Sequence, residues 1–271
     1  MSQLNGRRRL GLLVVVVVLL GASGVINRRH LEVALQMAVA RAGSTDRVSA
    51  ARARLKTTLP ALFADKQVSW PPHEVFLRAI KEQADGSPGV VELWARGKKQ
   101  PTYTLIKSYP ICALSGVLGP KRREGDLQIP EGFYTISKLN PVSSYHLSMR
   151  VDYPNASDRI RGKAKDATAP LGGDIMVHGN CVTIGCIPLE NEPIEEVYLV
   201  ADAVFGKRAL PIHIFPRRLD EAGLTALVAA TTDEGLKSFW RELAVGYQAF
   251  EQAKTPPKIA VAKDGAYVVA P

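Results

Sequence analysis

The chain has 271 residues, of which 46% are hydrophobic and 23% charged, so it can bury one large core or two small ones and is not a disordered protein. Its formal net charge is +9, but five of the 35 basic residues and none of the 26 acidic residues lie in residues 1–29. The remainder carries +4, which is too weak a charge to indicate a nucleic-acid-binding protein.

Residues 1–29 differ in composition from the rest of the chain. Three arginines precede 17 uncharged, mostly apolar residues at positions 10–26, and two arginines follow them. A bilayer span needs about 17–25 such residues, whereas a cleaved signal peptide has a shorter apolar region. We expect a membrane anchor or a signal peptide here, with a buried soluble helix as a third interpretation. Either of the first two places the remaining chain in the periplasm of a bacterial envelope, anchored in the inner membrane by residues 10–26 or secreted after cleavage.

The predicted export determines which oxidation states are open to the three cysteines. Cys112, Cys181 and Cys186 would meet an oxidising compartment, where one disulfide and one free thiol, or three free thiols, are possible. Each of the three pairings leaves a different cysteine reactive. Composition alone does not choose among them.

Residues 30–72 have the apolar spacing of helices. RHLEVALQMAVARAG has a period of three to four, and STDRVSAARARLKTTLPALFA restarts behind Ser44, a residue suited to capping a helix. We interpret 30–72 as a helical stalk between the membrane and the main domain. A partner-binding coiled coil is the alternative.

From residue 73 the pattern changes to short segments that alternate apolar and polar residues between turns, which is typical of strands. These segments are HEVFLRAIK, GVVELWARG, TYTLIKSYPI, GFYTISKL, SSYHLSMRV, DIMVHG and RALPIHIFP. Residues 194–205 and 219–253 have helical periodicity, and the proline-broken tail after them is expected to pack locally. The predicted fold class is α+β, mostly β, with a mixed sheet and flanking helices.

The segment DIMVHGNCVTIGCIPLE, residues 174–190, combines one histidine with two cysteines. A thiolate is the attacking form of cysteine, and a histidine within hydrogen-bond reach promotes its formation. The loop between His178 and Cys186 is long enough to return, and Gly185 allows a substrate carbonyl to approach. Backbone N–H groups at 184–186 would then stabilise an oxyanion.

Three other interpretations of this segment stay open at the level of the residues. A zinc site of His178, Cys181 and Cys186 would need a distant fourth ligand. A disulfide between Cys181 and Cys186 would consume both thiols. All three residues could also be inert core residues.

Several motifs resemble one known family. The order of strand, HG, loop and TIGC is similar to the L,D-transpeptidase (YkuD-type) catalytic domain, and IPEGFYTI resembles the entry to a strand of that domain. Four segments resemble the YafK-like (DpaA-like) branch of this family more closely. They are SYPICALSGVLGPKRREGDLQIPEGFYTI, LNPVSSYHLSMRVDYPN, MVHGNCVTIGCIPLENEPIEEVY and FWRELAVGYQAFE. The resemblance covers residues 73–268 and implies one catalytic domain there.

The resemblance implies a cysteine-dependent acyl transfer on peptidoglycan, through a thioester and without a cofactor or metal. Cys186 would be the nucleophile and His178 its base, with the imidazole oriented by the backbone carbonyl of Gly179. The oxyanion loop would consist of Thr183, Ile184 and Gly185. Thr183 would support that loop by hydrogen bonding.

Substrate-binding candidates lie upstream of this segment. Peptidoglycan stem peptides carry carboxylates that basic groups can clamp, and Lys121 and Gly119 lie close to the resembling motif. Tyr134 is a candidate for lining the groove, with an ordinary strand aromatic as the alternative. His146 is expected in the core or on the surface, and His213 is expected to be structural.

Two departures from the broader family concern the acceptor of the acyl group. TIGC replaces SHGC, so Ile184 stands where a second histidine is usual, and the proline of CIP, two places after Cys186, stands where an arginine or asparagine is usual. The branch that the chain resembles is associated with hydrolysis that detaches an outer-membrane lipoprotein from the diaminopimelate of the stem peptide. We therefore predict hydrolysis, with stem peptides and that lipoprotein as partners. The alternatives are true transpeptidation and an inactive peptidoglycan-binding module.

With Cys186 assigned to catalysis by the resemblance, Cys112 and Cys181 remain for a disulfide. This bond would join the loop after the third strand to the catalytic loop and would stabilise the fold by about 4 kcal/mol in the chain-entropy model. Two buried free thiols are the alternative.

Overall fold

The computed structural model describes residues 47–270. Within them, residues 47–54 are helical, and the helices that follow are α1 (Thr58–Asp65), α2 (Ala156–Lys165), α3 (Asn191–Val204), α4 (Glu221–Ala229) and α5 (Glu234–Ala253). The strands are β1 (Glu74–Glu82), β2 (Pro88–Arg96), β3 (Thr104–Pro110), β4 (Gly132–Asn140), β5 (Ser148–Val151), β6 (Met176–His178), β7 (Ile187–Pro188), β8 (Pro211–Phe215), β9 (Ile259–Val261) and β10 (Tyr267–Val269).

Eight strands form one mixed sheet in the order β3-β2-β1-β8-β4-β5-β6-β7. β1 is parallel to β8 and β6 is parallel to β7, while the other neighbours are antiparallel. The two edges of the sheet meet, because the N–H of Cys112, two residues after β3, donates to the carbonyl of Pro188 in β7 at 3.1 Å. The sheet is therefore curled, and the predicted α+β, mostly β fold class is confirmed.

Each predicted strand segment contains a strand, but one of them is much shorter than expected. Of the residues 143–151, only Ser148–Val151 forms a strand. The preceding residues form a turn in which His146 has φ +67°. Alternation of apolar residues was a poor guide here, because a left-handed backbone conformation cannot continue a strand.

Strand β1 lies inside the sheet, and residues 75–81 are buried throughout. Two of these residues are charged, and each is paired: Arg78 Nε with Glu92 at 2.7 Å, and Lys81 Nζ with Glu131 at 2.8 Å. Buried charges persist only with such partners. Lys81 also donates to three carbonyl oxygens of the segment 117–129. This buried ammonium therefore fixes the long connection that runs from β3 towards the candidate site.

The predicted helical segment 219–253 is two helices. α4 ends at Ala229, and α5 begins behind Asp233, whose carboxylate accepts from the N–H of Leu236 at 3.0 Å. An aspartate that caps a new helix favours a break before it. The apolar face of α5 packs in the core as expected, through Trp240, Leu243, Tyr247 and Phe250.

Four elements have no counterpart in the sequence prediction: α2, the two-residue strand β7, and the tail strands β9 and β10. α2 starts with a capping box between Asn155 and Asp158, and its largely polar sequence has no apolar stripe to reveal it. In the tail, β9 and β10 form an antiparallel hairpin in which Tyr267 faces Val261. The expectation that the tail packs only locally is wrong, because the buried ring of Tyr267 lies 4.9 Å from that of the distant Phe133 in a core cluster.

The predicted stalk is wrong for the part of it that the structure describes. Leu55, Leu59 and Phe63 are buried in the same core cluster as the sheet residues. These helices therefore belong to the domain and do not extend from it. The anchor predicted at residues 10–26 and the stalk residues before 47 lie outside the described part of the chain. Among residues 47–270, no helix is long and apolar enough to cross a bilayer.

Candidate functional site

Two neighbouring strand ends carry His178 and Cys186. His178 ends β6, and its Cα pairs with Pro188 of the parallel strand β7. Cys186 directly precedes β7, two residues before Pro188. Because side chains alternate between the two faces of a strand, residues 186 and 188 share the face of His178. The sheet thus brings the two predicted reactive side chains to one face of neighbouring segments.

The imidazole of His178 is buried and held in one tautomer. Nδ1 lies 2.6 Å from the carbonyl oxygen of Gly179, and a carbonyl only accepts, so Nδ1 carries the hydrogen and Nε2 is free to accept a proton. Burial lowers the pKa of His178 below its ordinary value, and the hydrogen bond to Gly179 opposes this in part. This contact has the geometry that the predicted role of the Gly179 carbonyl, orienting the imidazole, requires.

No side chain would fit at position 179. A Cβ there would lie 2.8 Å from Asn191 Oδ1 and 2.9 Å from the Cβ of His146. The N–H of Gly179 also donates to the carbonyl of Leu147 at 3.0 Å. The residue after His178 is a glycine because the β4–β5 turn and the start of α3 close on its backbone.

The thiol of Cys186 is half-buried and is the free thiol among the cysteines. Its Sγ donates to the carbonyl of Asp174 at 3.7 Å. Burial raises the pKa of the thiol, while the N–H of Met176 lowers it, the nearby charge of Asp174 raises it and that of Lys121 lowers it. The resting thiol is therefore protonated at neutral pH, and its hydrogen bond goes to Asp174 and not to His178.

The hydroxyl of Thr183 organises the loop that ends at Cys186. It accepts from the N–H of Gly185 at 3.1 Å and from the N–H of Cys186 at 2.8 Å, and it donates to the carbonyl of Cys186 at 2.8 Å. The loop-supporting role expected of Thr183 fits this geometry. Two of the N–H groups predicted as oxyanion donors are, however, directed at Thr183 in this state.

Gly185 and Ile184 complete the loop. Gly185 has φ +133°, a conformation that L-residues rarely adopt, and a Cβ there would lie 3.1 Å from the carbonyl oxygen of Gln128. Ile184 is 79% exposed, so an apolar side chain projects from the loop beside the nucleophile. Glycine before Cys186 is thus required by the backbone and by the close approach of the segment that contains Gln128.

A disulfide joins Cys112 and Cys181, whose Cα atoms are 5.4 Å apart. It connects the segment after β3 to the loop between His178 and Cys186, and it closes a sequence separation of 69 residues. Such a closure stabilises the fold by about 4 kcal/mol in the chain-entropy model. The bond also removes Cys181 from the three candidate zinc ligands and excludes a Cys181–Cys186 bridge in this state.

The predicted substrate-binding residues are engaged inside the protein. Lys121 is 5% exposed, and its Nζ donates to Asp126 at 2.6 Å and to a backbone carbonyl at 2.9 Å. The N–H of Gly119 donates to the buried Glu131 at 2.7 Å. The ammonium and this backbone N–H are therefore used to shape the connection before β4.

Tyr134 does not line a groove, which corrects the sequence interpretation. Its side chain is 3% exposed, and its hydroxyl donates to Asp158 at 2.9 Å. Asp158 also pairs with Arg122 at 3.1 Å, and burial raises the pKa of this carboxyl to about 6. The ordinary strand aromatic, the other interpretation, describes Tyr134 better.

A cleft of about 480 Å³ lies beside the candidate site, next to Gln128. Its lining includes the basic residues Arg122, Arg123 and Lys165 and the acidic residues Asp126 and Asp166. Arg123 and Lys165 are exposed in this lining, whereas Lys121 is not part of it. Of the three basic residues in GPKRREGD, Lys121, Arg122 and Arg123, which the sequence offers as carboxylate clamps, Arg123 is therefore the exposed one, and Lys165 joins it in the cleft.

Tyr145 is the neighbour of His178 that sequence reasoning missed. Its ring centroid lies 4.8 Å from that of His178, with 34° between the planes. The residue was hidden in a segment predicted as a strand, and the preceding NPVSS, which is rich in turn-forming residues, was the available signal. His146 lies beside it, partly buried, with Nε2 2.6 Å from Glu195 Oε1.

The chain is similar to known proteins across the region just described. A family model described as "YkuD: L,D-transpeptidase catalytic domain" matches residues 89–212, which include His178 and Cys186. The Escherichia coli (strain K12) protein named "Putative L,D-transpeptidase YafK" is 35% identical over 203 residues, covering 71% of this chain and 78% of that protein. The protein of the same name from E. coli O157:H7 gives the same figures.

Solved structures show a more distant likeness. The helical cell shape determining protein Pgp2 from Campylobacter jejuni is 17% identical, with a TM-score of 0.41, over 70% of this chain and 73% of that one. Bd1075 from Bdellovibrio bacteriovorus is 18% identical, with a TM-score of 0.36, over 71% and 78%. At these scores neither likeness bears on function.

Proposed function

The chain belongs to the L,D-transpeptidase family, and from this premise we propose that it is a peptidoglycan enzyme whose nucleophile is Cys186 and whose base is His178. The observation that carries the proposal is the placement of His178 at the end of β6 and of Cys186 directly before the neighbouring strand β7. His178 keeps Nε2 free because Nδ1 donates to Gly179, and Cys186 keeps its thiol because the other cysteines are bonded to each other. A base with a defined tautomer beside a free thiol is the minimum that cysteine acyl transfer needs.

The reaction begins when the thiol turns from Asp174 towards His178. Nε2 takes the thiol proton, and the thiolate attacks the amide carbon at the diaminopimelate of a stem peptide. The imidazolium then returns the proton to the leaving amine, and an acyl-enzyme thioester remains on Cys186. Attack by water, deprotonated by His178, releases a free carboxylate and restores the thiol.

The oxyanion of each tetrahedral intermediate needs donors that the resting loop keeps occupied. The N–H groups of Gly185 and Cys186 donate to the hydroxyl of Thr183 in the resting state. An oxyanion is a stronger acceptor than a neutral hydroxyl. We propose that it replaces Thr183 as their acceptor, so that the loop tightens on the transition state rather than on the substrate.

Hydrolysis, with release of a peptidoglycan-linked outer-membrane lipoprotein, is the proposed outcome. Transpeptidation needs an amine acceptor, which is an ammonium at neutral pH and so must lose one proton before it attacks and another as the amide forms, whereas water loses one as it attacks. Ile184, which stands where the broader family has a second histidine, offers no proton acceptor and is 79% exposed at the loop. This feature supports water as the acceptor, and the protein is proposed to act in the periplasm.

The proposed base and nucleophile predict a broad pH optimum. Burial lowers the pKa of His178 and raises that of Cys186, so both groups are neutral through the middle of the pH range. We expect kcat/KM to fall on the acid side only below the ordinary histidine value of about 6.5, and on the alkaline side when the thiol ionises. An acid limb above that value would contradict the proposed neutral resting pair.

The function is tested with the full-length chain and its Cys186→Ala variant on sacculi that carry bound lipoprotein. Mass spectrometry of the soluble and insoluble fractions identifies the products. Lipoprotein peptides released by the native chain alone, with free stem carboxylates left on the sacculi, support the hydrolase. New diaminopimelate–diaminopimelate cross-links would show a transpeptidase. Identical fractions from both proteins would leave only a binding module.

A further inference from the structure

The ring of Tyr145 covers the imidazole of His178. The centroid distance of 4.8 Å lies in the range of attractive aromatic pairs. His178 is 2% exposed, whereas Tyr145 is 45% exposed. One ring therefore contacts solvent while the ring beneath it does not, and Tyr145 forms part of the wall that keeps water from His178.

The turn that carries Tyr145 has an unfavourable backbone conformation. His146, the next residue, has φ +67°, and a left-handed conformation costs a residue with a side chain about 1–2 kcal/mol. Within the turn, the N–H of Tyr145 donates to Ser143 Oγ at 3.0 Å. A strained turn keeps one conformation only where surrounding contacts offset the strain.

Arg47, from the start of the described chain, supplies two of those contacts. Its Nη1 donates to the carbonyl of Ser143 and to the carbonyl of His146, both at 2.9 Å. These two carbonyls flank Tyr145 on either side. A single guanidinium therefore bridges the turn from a residue more than ninety positions away in the sequence.

A second contact comes from the same helical segment. Arg54 pairs with Glu195 of α3, and Glu195 Oε1 lies 2.6 Å from Nε2 of His146. Arg47 and Arg54 are about two helical turns apart and so lie on one face of the segment 47–54. That face and α3 together hold the turn from outside.

We propose that Tyr145 is a positioning residue for His178, and that Arg47 holds Tyr145 in place from the helical segment 47–54. The proposal rests on the His178–Cys186 pair of the proposed function. With the ring in place, the imidazole is confined, and its Nε2 stays available to the thiol. Without the ring, His178 gains water and rotational freedom, and protonation becomes easier.

Among residues 47–270, the titratable groups around His178 indicate that hydration is the main influence on its pKa. The elements packed on it present the Cys186 thiol before β7, Tyr145 and His146 on the turn, and Glu195 on α3 through His146. Burial is the largest cause of the shift in its pKa, followed by the carbonyl of Gly179. Loss of Tyr145 therefore acts by admitting water, since neither burial nor the Gly179 contact is a nearby charge that the substitution would remove.

The test measures alkylation of Cys186 by iodoacetamide in the full-length chain, followed by mass spectrometry from acidic to alkaline pH. Each rate is divided by the limiting alkaline rate of the same variant, where the thiol ionises without a base, so differences in access cancel. The variants are Tyr145→Ala, Tyr145→Phe, Arg47→Ala and His178→Ala. Arg52→Ala is the matched control, because Arg52 lies on the same segment but pairs with Asp202 of α3.

We expect the normalised rate at neutral pH to fall by about 10-fold to 100-fold in Tyr145→Ala, as misplacement of a catalytic group does elsewhere, and less in Arg47→Ala. The acid limb should move to higher pH in both. Tyr145→Phe, which keeps the ring, and Arg52→Ala should match the native profile. Thermal unfolding, monitored by circular dichroism, checks that each variant is folded.

Two results would contradict the positioning role of Tyr145, and only the second would also contradict the His178–Cys186 pair. If His178→Ala shifts the profile but Tyr145→Ala does not, the positioning role is wrong and the catalytic pair stands. If His178→Ala itself leaves the profile unchanged, the pair fails and the positioning role fails with it. An Arg52→Ala profile shifted as far as that of Arg47→Ala would reduce the role of Arg47 to general stability.

Discussion

His178 and His213 are both buried on strands of one sheet, at 2% and 4% exposure, and burial lowers the pKa of both, that of His213 to about 3. Their surroundings differ. His178 ends its strand, with Nδ1 donating to Gly179 and a free cysteine on the neighbouring segment. His213 lies within β8 between Phe76 and Phe133, and its Nδ1 has no partner among the described residues.

The difference shows that burial alone does not make a histidine functional. Burial in an aromatic cluster and the nearby charge of Arg78 keep His213 neutral. At the end of β6, His178 has a fixed tautomer and lies beside the segment that carries the free thiol of Cys186. The role of each residue follows from where its strand ends relative to the loop that carries Cys186.

The largest expected effect separates the two histidines by activity. His178→Ala should lower kcat/KM on peptidoglycan by about 10²–10⁴-fold, the range for loss of a general base. His213→Phe replaces one buried ring with another in an aromatic cluster and should leave kcat/KM within about threefold, which is less than 1 kcal/mol. Equal losses in both variants, with both proteins folded, would remove the distinction.

The second effect concerns the disulfide, which anchors the loop after His178 but not β8. The double variant Cys112→Ser/Cys181→Ser should lower the free energy of unfolding by about 2–5 kcal/mol. Amide hydrogen exchange should quicken at 179–186 while β8 stays protected. Cys186→Ser is the control and should change stability by no more than about 0.5–1 kcal/mol. Unchanged exchange at 179–186 would show that the bond does not hold this loop.

The third effect is a loss of stability in acid that His213 should cause. Its folded pKa of about 3 lies below the unfolded value of about 6.5, so the folded state binds fewer protons between these values. The contribution of His213 to the free energy of unfolding is fully present above pH about 6.5. It is lost as pH falls towards 3, at about 1.4 kcal/mol per pH unit. Denaturant unfolding of His213→Phe at several pH values should show a flatter acid dependence. An unchanged slope would contradict the assignment.

The smallest effect tests whether orientation matters on the cysteine side as it does at His178. Thr183→Val removes the hydroxyl that accepts from Gly185 and Cys186, which leaves two N–H groups without their partner at a cost of about 1–3 kcal/mol. Because the same hydroxyl also donates to the carbonyl of Cys186 and so positions the nucleophile, we expect kcat to fall by roughly tenfold, which corresponds to about 1.4 kcal/mol. Thr183→Ser keeps the hydroxyl and should retain activity. A Thr183→Ser variant as slow as Thr183→Val would point to packing of the methyl group instead.

Much of the fold was predictable from local pattern. Alternation of apolar residues located seven strands, because each half-buried strand repeats every two residues. α2 was missed because its polar sequence carries no apolar stripe, and the break before α5 was missed because the cap at Asp233 interrupts an otherwise continuous helical pattern. The stalk was wrong for its described part, residues 47–72, because Leu59 and Phe63 are buried in the main core cluster of the domain.

At the site, short-range order in the sequence determined which residues stand at the reactive positions. A strand, a histidine, a short loop and a glycine before cysteine lie within residues 174–190, so the expected pair needed no distant information. The tertiary structure decided everything that depends on contacts between distant segments. It bonded Cys112 to Cys181, directed the ammonium of Lys121 to Asp126, buried Tyr134 against Asp158, and set Tyr145 over His178 with Arg47 behind it. Burial and hydrogen bonding are properties of the space around a group, and only the folded chain defines that space.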